Sequence, residues 1–195
     1  MVFDPPSGKL VYFVVNWSTG TRTWLFDPRT NQWSTLPQDS TANNVFISVA
    51  GIAYDTSRNI VVAYGGGPSS VANPSKQLWS YSVAQNKWTA LPDAPIPAAS
   101  AEFAYDSTHD VFLALVGRNT LIYNPRTRAW SILAATLNRG TNLDHQNVTY
   151  NPAHDVFVFQ GGSWDQPVWS LFRYSDAGSP PRTVPAPPTN VRIVP

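Results

Sequence analysis

At 195 residues without a single cysteine, the chain is long enough for one or two domains with a self-sufficient core, and it excludes disulfide frameworks and thiol chemistry. Lys and Arg number 13 against 12 Asp and Glu, which leaves no basic excess for a phosphate backbone, so no nucleic-acid partner is expected, and no apolar run reaches the ~18 residues of a membrane span. Charged residues make up only 13% while aromatics also reach 13%, with 8 Trp, a composition suited to packed sheets.

In chain order, four related units follow one another. Phe3 to Leu36 reads FDPPSGKLVYFVV, a loop, then TWLFDPRTNQWSTL. Tyr54 to Leu91 reads YDTSRNIVVAYGGG, a loop, then LWSYSVAQNKWTAL. Tyr105 to Leu133 is YDSTHDVFLALVGRNTLIYNPRTRAWSIL, and Tyr150 to Tyr174 is YNPAHDVFVFQGG, a loop, then VWSLFRY. Asp4, Asp55, Asp106 and Asn151 open corresponding turns, 51, 51 and 45 residues apart. Phe26, Tyr81 and Tyr123 are each followed seven residues later by Trp33, Trp88 and Trp130, across the polar turns DPRTNQ, SVAQNK and NPRTRA. Turn residues at that spacing describe a strand, a tight turn and a returning strand rather than two helical turns. A period near fifty residues with four short strands per unit predicts the blades of a β-propeller.

Within each unit the strands are a to d, running outward. Strand a ends on Tyr54, Tyr105 or Tyr150. The b strands Leu10–Val15, Ile60–Tyr64, Val111–Val116 and Val156–Phe159 are apolar at nearly every position, which predicts cover on both faces. The d strands begin at Trp33, Trp88 and Trp130, each expected to wedge between neighbouring blades. Because strands alternate in direction, the short a–b and c–d turns share one face. The longer b–c loops (16–22, 65–77, 118–120, 162–167) and d–a crossings (37–46, 92–101, 135–146) share the other, where binding is expected.

The Tyr-Asp before strand b, the glycines closing it (Gly65–Gly67, Gly117, Gly161–Gly162) and the Tyr-x6-Trp pair resemble the kelch-type repeat of bacterial, galactose-oxidase-like propellers, over about residues 2 to 175. The resemblance implies an all-β fold: a kelch-like β-propeller of four blade units with four antiparallel strands each, belonging to a ring of six to eight blades. Departures are present. Val15-Asn16-Trp17 replaces the double glycine in the first unit, the third keeps one glycine, and the fourth lacks its Trp. After Tyr174 six prolines exclude a central strand, so the last blade is expected to lack strand d and to be completed by residues preceding Met1. The domains are read as blades over 1–176 and a Pro-rich linker over 177–195, whose end resembles the first strand of a fibronectin type III domain.

Chemistry-bearing residues are few. His109 and His154 occupy equivalent a–b turns; a metal pair is the sharper reading, but repeat-equivalent residues sit in separate blades, which favours the turn. Asp27, Asp106 and Asp110 are turn formers first. On the variable face, Glu102, the only Glu, aligns with Asn147 of the next unit, and Arg139, Asp144 and His145 complete one polar constellation suited to acid–base work or to sugar hydroxyls. Its plain alternative is an ordinary solvated channel strand. Trp17 and Trp164, each in a b–c loop, are candidate stacking platforms for a carbohydrate ring, or cover for a blade edge.

Three functions are consistent with this pattern. The favoured one is a non-catalytic module of an extracellular or cell-surface protein that recognises glycan or protein through the variable face, with no catalytic residue, metal or cofactor. The resemblance also admits a sialic-acid mutarotase, drawing on Glu102, Arg139 and His145, or a copper-radical oxidase. The oxidase requires a Cys–Tyr cross-link and two His ligands, against no Cys and only His145 on that face. The third is a spacer in a large surface protein. The sequons at Asn16 and Asn147 matter only in a eukaryotic secretory setting.

Overall fold

Left-handed residues set the hairpins. In the a–b turns that position belongs to Gly8 (φ 68°), Asn59 (53°), Asp110 (57°) and Asp155 (53°), and in the c–d turns to Asn31, Asn86 and Arg128. The acid or amide opening each turn caps it. Oδ1 of Asp55 accepts the amides of Ser57 and Arg58, both at 2.9 Å, and Oδ1 of Asp106 accepts those of Thr108 and His109 at 2.8 and 3.0 Å.

These turns fold the chain, seen in a computed structural model, into antiparallel sheets. The structure describes residues 1–16, 18–41, 45, 47, 50–67, 73–133, 147–162 and 167–175. The first sheet joins β1 (Val2–Asp4), β2 (Lys9–Asn16), β3 (Gly20–Asp27) and β4 (Gln32–Thr35) in sequence order. The second joins β5 (Gly51–Asp55), β6 (Ile60–Tyr64), β7 (Leu78–Ser82) and β8 (Lys87–Leu91). The third joins β9 (Glu102–Asp106), β10 (Val111–Val116), β11 (Asn119–Asn124) and β12 (Ala129–Ile132). The fourth has three strands among the described residues, β13 (Asn147–Asn151), β14 (Val156–Gly162) and β15 (Pro167–Phe172). The first strand of each sheet meets the first strand of the next, β1 to β5, β5 to β9 and β9 to β13, so these strands line the axis and the sheets stand as the blades of a four-blade propeller.

Register gives each blade a front and a back. Paired positions place one row across each front: Phe3, Leu10, Phe26 and Trp33; Tyr54, Val61, Tyr81 and Trp88; Tyr105, Phe112, Tyr123 and Trp130; Tyr150, Phe157 and Phe172. Each front packs on the back of the preceding blade. Val11 and Leu25 of the first meet Val61, Ala63, Tyr81 and Trp88 of the second. Ala53, Val62 and Leu78 of the second meet Phe103, Phe112 and Tyr123 of the third, and Ala104, Leu113 and Ile122 of the third meet Phe157 and Phe159 of the fourth.

Two sequence expectations change at the first blade. The b strands β6 and β10 are buried on both faces, as their apolar runs imply, but β2 alternates: Val11 is buried while Tyr12 is 43% and Val14 39% exposed. Trp88 is buried and Trp130 half-buried at junctions, whereas Trp33 is 48% exposed and its ring contacts among the described residues are with its own blade, Tyr12, Trp24 and Phe26. The reason is positional: among the described residues no sheet packs on the front of the first one. Strands also run longer than read, so that β2 and β3 are joined through 17–19, and β10 and β11 through Gly117 and Arg118 alone.

A polar seam on the short-turn face closes each junction. Tyr54 donates to Oδ1 of Asp4 at 2.6 Å. The Tyr105 hydroxyl donates to Asp110 at 2.8 Å and lies 2.8 Å from the Ser57 hydroxyl; Tyr150 repeats the pattern with Asp155 (2.9 Å) and Thr108 (2.6 Å). Beside Tyr105, Arg58 bridges Asp55 of its own turn (2.8 Å) and Asp110 of the next blade, which it grips through both guanidinium nitrogens at 2.6 and 2.8 Å. Arg126 adds a third contact to Asp110 at 2.7 Å. Its hydrogen bonds from Arg58, Arg126 and Tyr105 hold the Asp110 carboxyl well below the usual carboxylate range, against the opposing pull of burial.

Trp88 contacts Tyr81 of its own blade at a ring separation of 4.8 Å and Phe13 across the first junction at 4.9 Å, so Trp88→Ala should cost ~3–5 kcal/mol in urea unfolding. Trp33→Ala, tested at sub-micromolar protein, should cost less than ~1 kcal/mol. Asp110→Asn should cost ~2–3 kcal/mol at neutral pH, reduced from a fully buried pair because Arg58 and Arg126 are partly solvated. A carboxylate with a depressed folded pKa stabilises above its ordinary value of ~3.9, so the gap between the variant and wild type should shrink as the pH falls below that value.

Candidate functional site

The inner strands come together most closely where they begin, on the variable-loop face. Gly51 makes this possible: a Cβ there would lie 2.5 Å from the Ala101 carbonyl oxygen and 2.6 Å from the Phe103 Cβ. Only glycine lets β5 lie this near β9. Between the starts of β5, β9 and β13 opens a cleft of about 430 Å³, lined by Gly51, Ile52, Glu102, Phe103, Asn147 and Val148, with residues of the incoming crossings at its rim.

Glu102 and Asn147, aligned in sequence as equivalent positions, thus face one another's cleft as the first residues of β9 and β13. Glu102 is half-buried and Asn147 exposed. Burial pushes the Glu102 carboxyl up from its ordinary range, and among the described residues it has neither an ion-pair nor a hydrogen-bond partner. A partly desolvated, unpaired carboxyl beside an amide is equipped to exchange hydrogen bonds with a polar ligand. It does not by itself form the acid–base pair that proton-transfer catalysis would require. Trp17, Arg139, Asp144, His145 and Trp164 lie outside the described residues.

The turn histidines are resolved differently. His109 is drawn to carboxylates rather than to His154: its Nδ1 lies 2.8 Å from Oδ2 of Asp106 and 3.5 Å from Oδ1 of Asp155 in the next blade. Ligand atoms of these three residues fall within 4.8 Å of one another, the size of a metal site. The arrangement nevertheless repeats that of Arg58 between Asp55 and Asp110, one blade along, and Asp155 is further engaged by Tyr150 and Arg173. It is a junction clasp with His in place of Arg.

Sequence reading passed over this clasp because Arg58, His109 and Asp110 each look like ordinary turn residues. A signal was present in the repeat: position 58 aligns with 109 and position 59 with 110, so a nitrogen-bearing side chain on one blade and an acceptor on the next recur at fixed places. A second, smaller cleft of about 180 Å³ lies against the Arg58 clasp, lined by Asp55, Arg58, Leu91, Phe112, Tyr123 and Arg128. Of its polar groups, Asp55 and Arg58 are committed to the junction.

Fold and site together define a β-propeller whose variable-loop face carries a small polar cleft. No family model matches the chain, and no curated protein does. Among solved structures it is similar to TolB from Acinetobacter baumannii, with 13% identity and a TM-score of 0.56 over 87% of this chain. The chain spans 40% of the length of that TolB chain, and at this identity the likeness is one of fold.

Because the folded pKa of Glu102 is raised, wild type carries a penalty for ionising it that is absent below the ordinary Glu value of ~4.3 and grows as the pH rises through it. Glu102→Gln should therefore raise the melting temperature at pH 7, and the gain should vanish near pH 4 when both proteins are followed by scanning calorimetry.

Proposed function

We propose that the chain is a non-catalytic binding module, built of kelch-type blades and belonging to an extracellular or cell-surface protein, that recognises a glycan or a protein through its variable-loop face. The observation that supports this most is the cleft at the starts of β5, β9 and β13, where Glu102 and Asn147 offer unpaired acceptor and donor groups beside the apolar Ile52, Phe103 and Val148. Mixed polar and apolar lining of this kind suits sugar hydroxyls and ring faces, or a short polar peptide segment. A propeller holds such a cleft rigid, because its walls are strand ends fixed by junction packing on both sides. The Pro-rich stretch of 177–195 fits a linker to a further domain.

A mutarotase would draw on Arg139 and His145 beside Glu102, and those two lie outside the described residues. A glycan and peptide array probed with wild type, a Glu102→Gln/Asn147→Ala variant and a Trp17→Ala/Trp164→Ala variant tests the proposal. A ligand class whose affinity falls at least tenfold, about 1.4 kcal/mol, in one variant with thermal stability retained is the expected result. Signals that neither variant changes would leave the spacer reading in its place.

A further inference from the structure

The buried carboxylates of this chain are supplied with donors. Asp4 takes the Ser7 amide and the Tyr54 hydroxyl, Asp55 takes two turn amides and Arg58, Asp106 takes two turn amides and His109, and Asp110 takes two arginines and the Tyr105 hydroxyl. Glu102 is treated differently. It is half-buried at the start of β9, burial pushes its carboxyl up from the ordinary range, and no donor reaches it among the described residues. A carboxyl that gives up water without gaining a hydrogen bond is costly to keep, and a partner from outside the chain is the compensation its setting lacks.

The cleft around Glu102 defines the chemistry of that partner. Beside the carboxyl stand the amide oxygen of Asn147 and the carbonyl oxygen of Ala101, the latter at the bare face of Gly51, 2.5 Å from where a Cβ would be. A group of acceptors around one carboxylate suits an ammonium, which has three donors and no acceptor. The walls are aliphatic. Ile52 and Val148 are partly exposed, each packed from behind against the core of its own junction, whereas the Phe103 ring is only 6% exposed and offers no open face for a sugar to stack on. Lysine is built for such a place, because its methylene stem lies along apolar surface while the charge sits at the tip. The geometry points to a lysine side chain of a protein partner as the occupant of the cleft, its ammonium on the Glu102 carboxylate and its stem between Ile52 and Val148. Such an occupant rests on the function proposed for the chain, binding through the variable-loop face, and gives that function a ligand group.

Titration of the isotope-labelled chain with Nα-acetyl-lysine methylamide, followed by two-dimensional NMR, tests this. Shifts at the amides of Gly51, Glu102 and Val148 are expected, with a dissociation constant on the order of a millimolar. Glu102→Gln, which removes the charge and keeps the shape, should weaken binding at least tenfold, and acetylating the ammonium of the probe should do the same. Methylammonium, which has the charge without the stem, should bind several-fold more weakly. Affinity should also fall as the pH drops and the Glu102 carboxylate takes up its proton. Arg139, outside the described residues, is the chain's own competitor for this carboxylate. A wild type that ignores the probe while Arg139→Ala binds it would show the charge to be satisfied internally and would overturn the inference, as would no shift with either protein. Equal affinity for glucosamine or for the acetylated probe would overturn it too. A ligand on the glycan and peptide array that weakens in Glu102→Gln/Asn147→Ala but contains no lysine would overturn the lysine assignment alone and leave the binding function standing.

Discussion

Burial of an aromatic front against a mostly aliphatic back is the interaction on which the whole molecule rests. Each blade is a sheet of three or four strands, too small to keep either face dry alone, and it becomes stable only as its neighbours cover it. The rows Tyr54 to Trp88 and Tyr105 to Trp130 supply large flat rings, and Val11, Leu25, Val62 and Ala53 supply the smaller aliphatic surface they settle on. Phe13 and Tyr64 add ring-on-ring contacts to the same junctions, meeting Tyr81 and Trp88, and Phe103 and Trp130, at tilted or edge-on angles.

Around that apolar contact the polar groups serve orientation. The Tyr hydroxyls and the Arg58 and His109 clasps all sit on the short-turn face, where turns have the same length in every blade and can meet at a fixed place. The variable-loop face carries no equivalent seam among the described residues. One face is thereby given to holding blades in register. The other is left to differ from blade to blade, and the Glu102 cleft lies on it.

Much of the fold was legible in the residues. The four-fold recurrence of an acid or amide turn-opener, and the aromatic followed seven positions later by Trp, fixed strand order and the number of blade units, because both depend only on local turn chemistry and strand length. The alignment of Glu102 with Asn147 was enough to bring the two to one cleft, since equivalent positions in adjacent blades are neighbours at the axis. The clasp was not legible, because an Arg in a turn carries no local mark of the carboxylate it will reach in the next blade. Nor was the solvent position of Trp33, which in sequence is indistinguishable from Trp88.

What the sequence by itself determined is periodic: sheets rather than helices, four units, short turns on one face and long connections on the other, all consequences of alternation and turn chemistry within a few residues. What only the tertiary structure decided depends on neighbours distant in the chain. It settled which tryptophans are covered, which histidine becomes a clasp, how near Gly51 lets two strands approach, and how far burial alters Glu102. Burial and charge pairing are properties of what packs against a side chain, and that partner lies in the neighbouring blade, 46 residues away for His109 and Asp155 and 75 for Trp88 and Phe13.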